Sequence, residues 1–230
     1  MSWFADYYRS SIGKKMVMAV TGLILFAYVF FHMLGNLQLY IPSPKGEAPG
    51  YFINRYAEFL HSTTFFPGLW GARIVLILAF GLHMLAALQL TIDSWTARGV
   101  AYNVRHYRKA DLAARTMIWS GPLIGLFLLY HILHLTCGTV APAPFVDGHA
   151  FENLVTGFNI PLVAGVYMVA VAMLGFHFYH ALWSWFQTLG LAHPAHNPAR
   201  RWFSTALTLI VVIGDLSFPV AVLTGLVGGK

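Results

Sequence analysis

The chain has 230 residues, of which 58% are hydrophobic and only 10% charged, with a formal net charge of +6. Soluble domains lie nearer ~45–50% apolar and ~25% charged. These proportions exclude an ordinary soluble enzyme and a disordered chain, and the scattered basic residues argue against nucleic-acid binding. The single cysteine, Cys137, rules out an internal disulfide framework and any Cys-x-x-Cys pair.

A membrane helix needs ~20 mostly apolar residues. Five segments meet that requirement, over residues 16–39, 69–92, 116–138, 161–186 and 202–227. They predict an all-α membrane protein, with residues 1–230 forming one transmembrane domain. The first segment holds no Asp, Glu, Lys or Arg. Its length, its His32 and the lack of a clear small-residue cleavage site separate it from a signal peptide. Residues 40–68 predict a turn (IPSPKGEAPG) and then a short amphipathic helix (NRYAEFLHS). Residues 139–160 are turn-rich.

Loop charges set the orientation. Arg9, Lys14 and Lys15 precede the first span. Arg98, Arg105, Arg108, Lys109 and Arg115 lie between the second and third, and Arg200 and Arg201 between the fourth and fifth. The other side has only Lys45, Arg55, Arg73 and Lys230. The positive-inside rule puts the amino terminus and the basic loops in the cytoplasm and the carboxyl terminus outside.

Six of the 11 histidines fall inside spans: His32, His83, His131, His134, His177 and His180. Ionisable groups at membrane depth are costly and mark functional sites. At ~1.5 Å per residue, His32 and His131 both lie ~25 Å from the cytoplasmic face. His180 lies ~28 Å in from the outer end, and His83 ~15 Å from the cytoplasmic end. Depth therefore pairs His32 with His131 in the outer half and His83 with His180 in the inner half. His131/His134 and His177/His180 are each three apart on one helix face, so one member of each is the ligand and the other a hydrogen-bonding or packing residue.

Two opposed imidazoles at one depth suit a flat macrocycle held between helices, and haem iron takes imidazole axially. With both axial positions filled, such a centre moves electrons and does no bond chemistry. Without Cys-x-x-Cys-His the haem is held non-covalently, as haem b.

At these residues the chain resembles the single-chain, two-haem cytochrome b subunit of succinate dehydrogenase and fumarate reductase. The stretches that carry the resemblance are FHMLGNLQLY (Phe31 to Tyr40), RIVLILAFGLHMLAALQLT (Arg73 to Thr91), LLYHILHLTCGT (Leu128 to Thr139) and FHFYHALWSWFQTLGL (Phe176 to Leu191). His134 departs from the pattern, standing where the nearest members have aspartate. The resemblance implies two haems b, with His83 and His180 as iron ligands near the cytoplasm and His32 and His131 near the outer face. The choice of His131 over His134, and of His180 over His177, comes from that family pattern. It further implies a multi-pass protein of a prokaryotic cytoplasmic membrane. Flavoprotein and iron–sulfur subunits would dock on its cytoplasmic side, and electrons would pass to or from a quinone, usually menaquinone.

Arg73 is a candidate partner for an outer haem propionate, standing on the side that otherwise avoids basic residues. Lys14, Lys15, Ser11 and Arg115 are candidates for the inner one. Related proteins carry an acidic quinone-site residue after the first span, which makes Glu58 the candidate and Glu47 a weaker one. Asp215 in the fifth span has no counterpart role in the family. The rival readings are the cytochrome b anchor of another quinone-linked dehydrogenase or hydrogenase, and a haem-free, histidine-lined transporter.

Overall fold

The structure, a computed structural model, describes residues 3–97 and 112–229. Arg98, Arg105, Arg108 and Lys109 of the basic loop, and Lys230, lie outside the described residues.

The described residues form helices and no strand. In chain order they are α1 (Trp3–Arg9), α2 (Ser11–Asn36), α3 (Tyr51–His61), α4 (Phe66–Thr96), α5 (Leu112–His131), α6 (Ala150–Phe158), α7 (Pro161–Thr188) and α8 (Asn197–Leu223). A 3-10 turn, Leu37–Tyr40, extends α2, and a π turn, Ile132–Thr136, extends α5. Five stretches are long and apolar enough to cross a membrane: Ser11–Tyr40, Phe66–Thr96, Arg115–Thr136, Pro161–Thr188 and Pro194–Leu223. These are the five spans the sequence predicts, with shifted ends. The first starts earlier because the Ser10 hydroxyl caps α2, accepting from the Gly13 N–H at 3.0 Å. The last ends earlier, at Leu223, where the chain turns.

Along the spans, large apolar side chains point away from the protein: Ile77 is 69% exposed, Leu126 66% and Val169 66%. In water this would be an aggregation surface, whereas in a bilayer it is the lipid-facing wall. The chain is a multi-pass, all-α membrane bundle.

Helices α4, α2, α7 and α5 follow one another round a square, each packed along the next. The fourth side, α4 against α5, is not packed along its length. Side chains bridge it sparsely, Phe80 of α4 reaching the Gly125 position of α5. Helix α8 packs outside it, on α7 and α2.

One end of the bundle, called here the near end, carries the amino terminus. There Lys14 Nζ meets Asp93 Oδ2 at 2.5 Å, and the Tyr8 hydroxyl donates to Gln89 Oε1 at 3.0 Å, tying α1 and α2 to α4. At the far end, α3 and α6 form a cap. The sequence predicts α3. It reads the α6 stretch only as turn-rich, because nine residues behind a Pro- and Gly-rich loop give little periodic signal. Burial supplies what α6 lacks in local preference: Phe151, Leu154, Val155 and Phe158 join Met33, Ile53, Tyr167, Phe218 and Val222 in the apolar core. The Asn54 amide clamps the two cap helices, donating to Glu152 Oε2 at 3.0 Å and accepting from the Phe151 N–H at 2.9 Å. Gly50, at φ +79°, starts α3 under the Phe151 ring, where a Cβ would fall 2.2 Å from ring carbon.

Candidate functional site

Half-buried histidine pairs span the diagonals of the square. At the far level, the ring centres of His32 (α2) and His131 (α5) lie 5.9 Å apart, at an interplanar angle of 75°. At the near level, those of His83 (α4) and His177 (α7) lie 6.3 Å apart, at 59°. The separation of the levels follows from residue counts on three helices. His83 rests on Gly22, ten residues before His32. His177 is ten residues beyond Tyr167, which lies beside His131. Ser120, beside His177, is eleven residues before His131. At ~1.5 Å per residue the three counts give ~15–17 Å.

The far pair is the one the sequence predicts. The near pair differs in one member. Depth counting and the family pattern place His180 opposite His83, whereas the ring that faces His83 belongs to His177. His180 stands three residues further along α7, within electrostatic reach of His177. Depth counting could not separate the two, because three residues amount to only ~4.5 Å of rise.

Three of the four facing rings have Nδ1 engaged. His83 Nδ1 lies 3.2 Å from the Met18 carbonyl oxygen and 3.2 Å from Thr21 Oγ1. His177 Nδ1 lies 3.2 Å from Ser120 Oγ. His32 Nδ1 lies 3.1 Å from the Asn36 side-chain amide. A partner on one ring nitrogen fixes the ring and leaves the other nitrogen able to coordinate a metal. Sequence reasoning passed over Thr21, Ser120 and Asn36. The signal was available for two of them, since Thr21 and Ser120 are hydroxyl side chains inside otherwise apolar runs.

The ring-centre spacing is close to what an iron held between the two rings would require. Two imidazole–metal bonds of ~2 Å, plus ~1.1 Å from each nitrogen to its ring centre, come to ~6.2 Å. The diagonal placement is the one a flat group held between helices would use.

Arg73 sits at the far level. Its guanidinium lies 5.1 Å from the Trp70 ring centre and interacts electrostatically with Tyr28, whose ring centre is 5.6 Å from that of His32. Arg73 stands ten residues before His83 on α4. Glu58 lies elsewhere: on α3 it pairs with Arg55 at 2.9 Å, both side chains more than half exposed. Lys14, a candidate at the near end, is held by Asp93.

Asp215 lies on the face of α8 that carries Val211, Phe218 and Val222 inward, one residue from Gly214, which rests on Met33. Its carboxyl group makes no hydrogen bond or ion pair among the described residues, and Pro219 has no N–H to give its backbone carbonyl. Nearer the near end, the same helix buries Arg200. Its guanidinium lies 4.2 Å from the Trp183 ring centre and donates to the Trp183 carbonyl and to Asn197 Oδ1, each at 3.0 Å.

No family model, no curated protein and no solved structure matches this chain.

Proposed function

We propose that this chain is the membrane-anchoring, two-haem cytochrome b subunit of a succinate:quinone oxidoreductase. The observation that carries the haem reading is the pair of diagonal histidine contacts ~15 Å apart, each spaced for one bis-imidazole iron. His32 and His131 would hold the far haem, and His83 and His177 the near one. Haem b supplies one-electron transfer when bound. The protein's own residues do the rest. Met18 and Thr21 fix His83, Ser120 fixes His177 and Asn36 fixes His32. Arg73 offers a positive charge for an anionic propionate at the far level. The apolar walls keep water from both levels.

Two centres at different depths suit an electron path across the bilayer. With the basic near end in the cytoplasm, as loop charge favours, electrons run between cytoplasmic flavoprotein and iron–sulfur subunits and a quinone, menaquinone in the form the chain resembles. The membrane is then the cytoplasmic membrane of a prokaryote. The choice of succinate over hydrogen or formate as the ultimate donor rests on the motif resemblance alone.

The test is a dithionite-reduced minus oxidised spectrum of the gently purified protein, with haem quantified per polypeptide. Two haems b per chain are expected. A colourless chain refutes the reading and brings forward a haem-free, histidine-lined transporter. Co-purified flavin with succinate activity, against nickel or molybdenum, identifies the complex.

A further inference from the structure

His134 stands three residues after His131 and takes a different course. In a regular α-helix residues three apart share a face. Here the π turn Ile132–Thr136 starts immediately after His131, closing with the Cys137 N–H bonded to the Ile132 carbonyl at 2.9 Å. Such an insertion re-aims the side chains that follow it, and π turns recur at functional sites. His131 faces His32 across the square, while His134 turns into the far core, where it is 1% exposed.

There His134 Nδ1 meets the Tyr167 hydroxyl at 2.9 Å. Tyr130 stacks on the imidazole, their ring centres 5.5 Å apart. Helix α6 closes over it at Gly157, where a Cβ would stand 2.9 Å from both Cε1 and Nε2 of the ring. Tyr167 is 6% exposed and wedged among Phe127, Phe158 and Tyr130. Its ring also lies 5.8 Å, centre to centre, from that of His131. His131 is the one facing histidine whose ring nitrogens have no hydrogen bond among the described residues. Its orientation comes from the flanking rings of Phe127 and Tyr167.

We propose that the His134–Tyr167 hydrogen bond is the positioning device of the far centre: His134 holds Tyr167, and Tyr167 holds the plane of the His131 ring. The other three histidines are oriented by a bond to Nδ1, and His131 is oriented by this aromatic clamp, anchored one residue removed. His134 and Tyr167 are positioning residues and take no part in ligation. The inference rests on the haem reading above. The orientation and surroundings of an axial ligand tune a metal's spectrum and potential, so the clamp has a readout at one centre only.

The experiment uses the intact complex in membranes, with electron paramagnetic resonance of the oxidised haems and a potentiometric titration of both. Tyr167→Phe removes the hydroxyl and keeps the ring. His134→Leu removes the imidazole partner. His134→Asn returns a polar atom to the Nδ1 position. Tyr167→Phe and His134→Leu are expected to shift the low-spin signal and midpoint potential of the far haem, leaving those of the near haem in place. His134→Asn is expected to restore the far signal towards that of the parent. A far haem unchanged in Tyr167→Phe overturns the inference, as does an equal shift of both haems or a His134→Asn protein that behaves like His134→Leu. A parent complex without haem overturns the underlying reading, and the parent spectrum tells that failure apart.

Discussion

His177 and His180 give opposite expectations for the near centre, and a pair of single substitutions separates them. The ring centres of His83 and His177 lie 6.3 Å apart, against the ~6.2 Å that two imidazole–iron bonds require. Handing the ligand role to His180 moves the attachment three residues along α7. That is ~4.5 Å along the axis, with a turn of ~60° about it. Helix α7 would have to slide by most of a helical turn against α4. Its packing on α5 and α8 and the Ser120–His177 contact oppose such a slide. On the proposed two-haem reading, His177→Ala in the purified protein is expected to lower the haem content from two per chain to one and to remove the near centre from the redox titration. His180→Ala is expected to keep both haems. The assay is pyridine haemochrome quantification per polypeptide, with the reduced-minus-oxidised spectrum. One haem in His180→Ala and two in His177→Ala would refute the geometric assignment and return the ligand role to the residue the family pattern favours.

Three further outcomes follow from particular contacts. Thr21→Val removes one of the two groups at His83 Nδ1, a loss of ~0.5–1.5 kcal/mol for one hydrogen bond. It should weaken or shift the near haem alone in the same titration, and a change confined to the far haem would contradict the placement of the levels. Gly13→Ala puts a Cβ 2.1 Å from the Tyr7 carbonyl oxygen. Because that neighbour is backbone, α1 must move, at a cost of ~1–3 kcal/mol, and the protein should unfold at a lower temperature in detergent; an unchanged Tm would show that α1 yields freely. Cys137 is exposed just past the last turn of the third span. An impermeant thiol reagent added to intact cells should label it, and labelling only after the membrane is opened would invert the orientation.

Much of this protein is legible in its sequence, because the bilayer imposes a simple rule. Backbone polar groups must be satisfied within the segment, so each apolar run of ~20 residues becomes a helix wherever it packs. Composition therefore determined the all-α class, the five spans and the presence of histidines on the first four. Depth counting also found the far pair, since His32 and His131 stand at matching distances from charged ends. It could not choose between His177 and His180, or between His131 and His134. Those pairs share a helix and differ in depth by less than one turn, and the choice depends on rotation about the helix axis and on which helix stands opposite. Only the tertiary structure supplies these. The α4–α2–α7–α5 square sets the diagonals, the π turn after His131 parts it from His134, and the packing of α7 aims His177 at His83. The same holds for Thr21, Ser120, Asn36 and Tyr167, whose roles arise from partners 4 to 62 positions away in the chain. Local sequence determines which segments cross the membrane, and side-chain packing between helices decides which histidines meet.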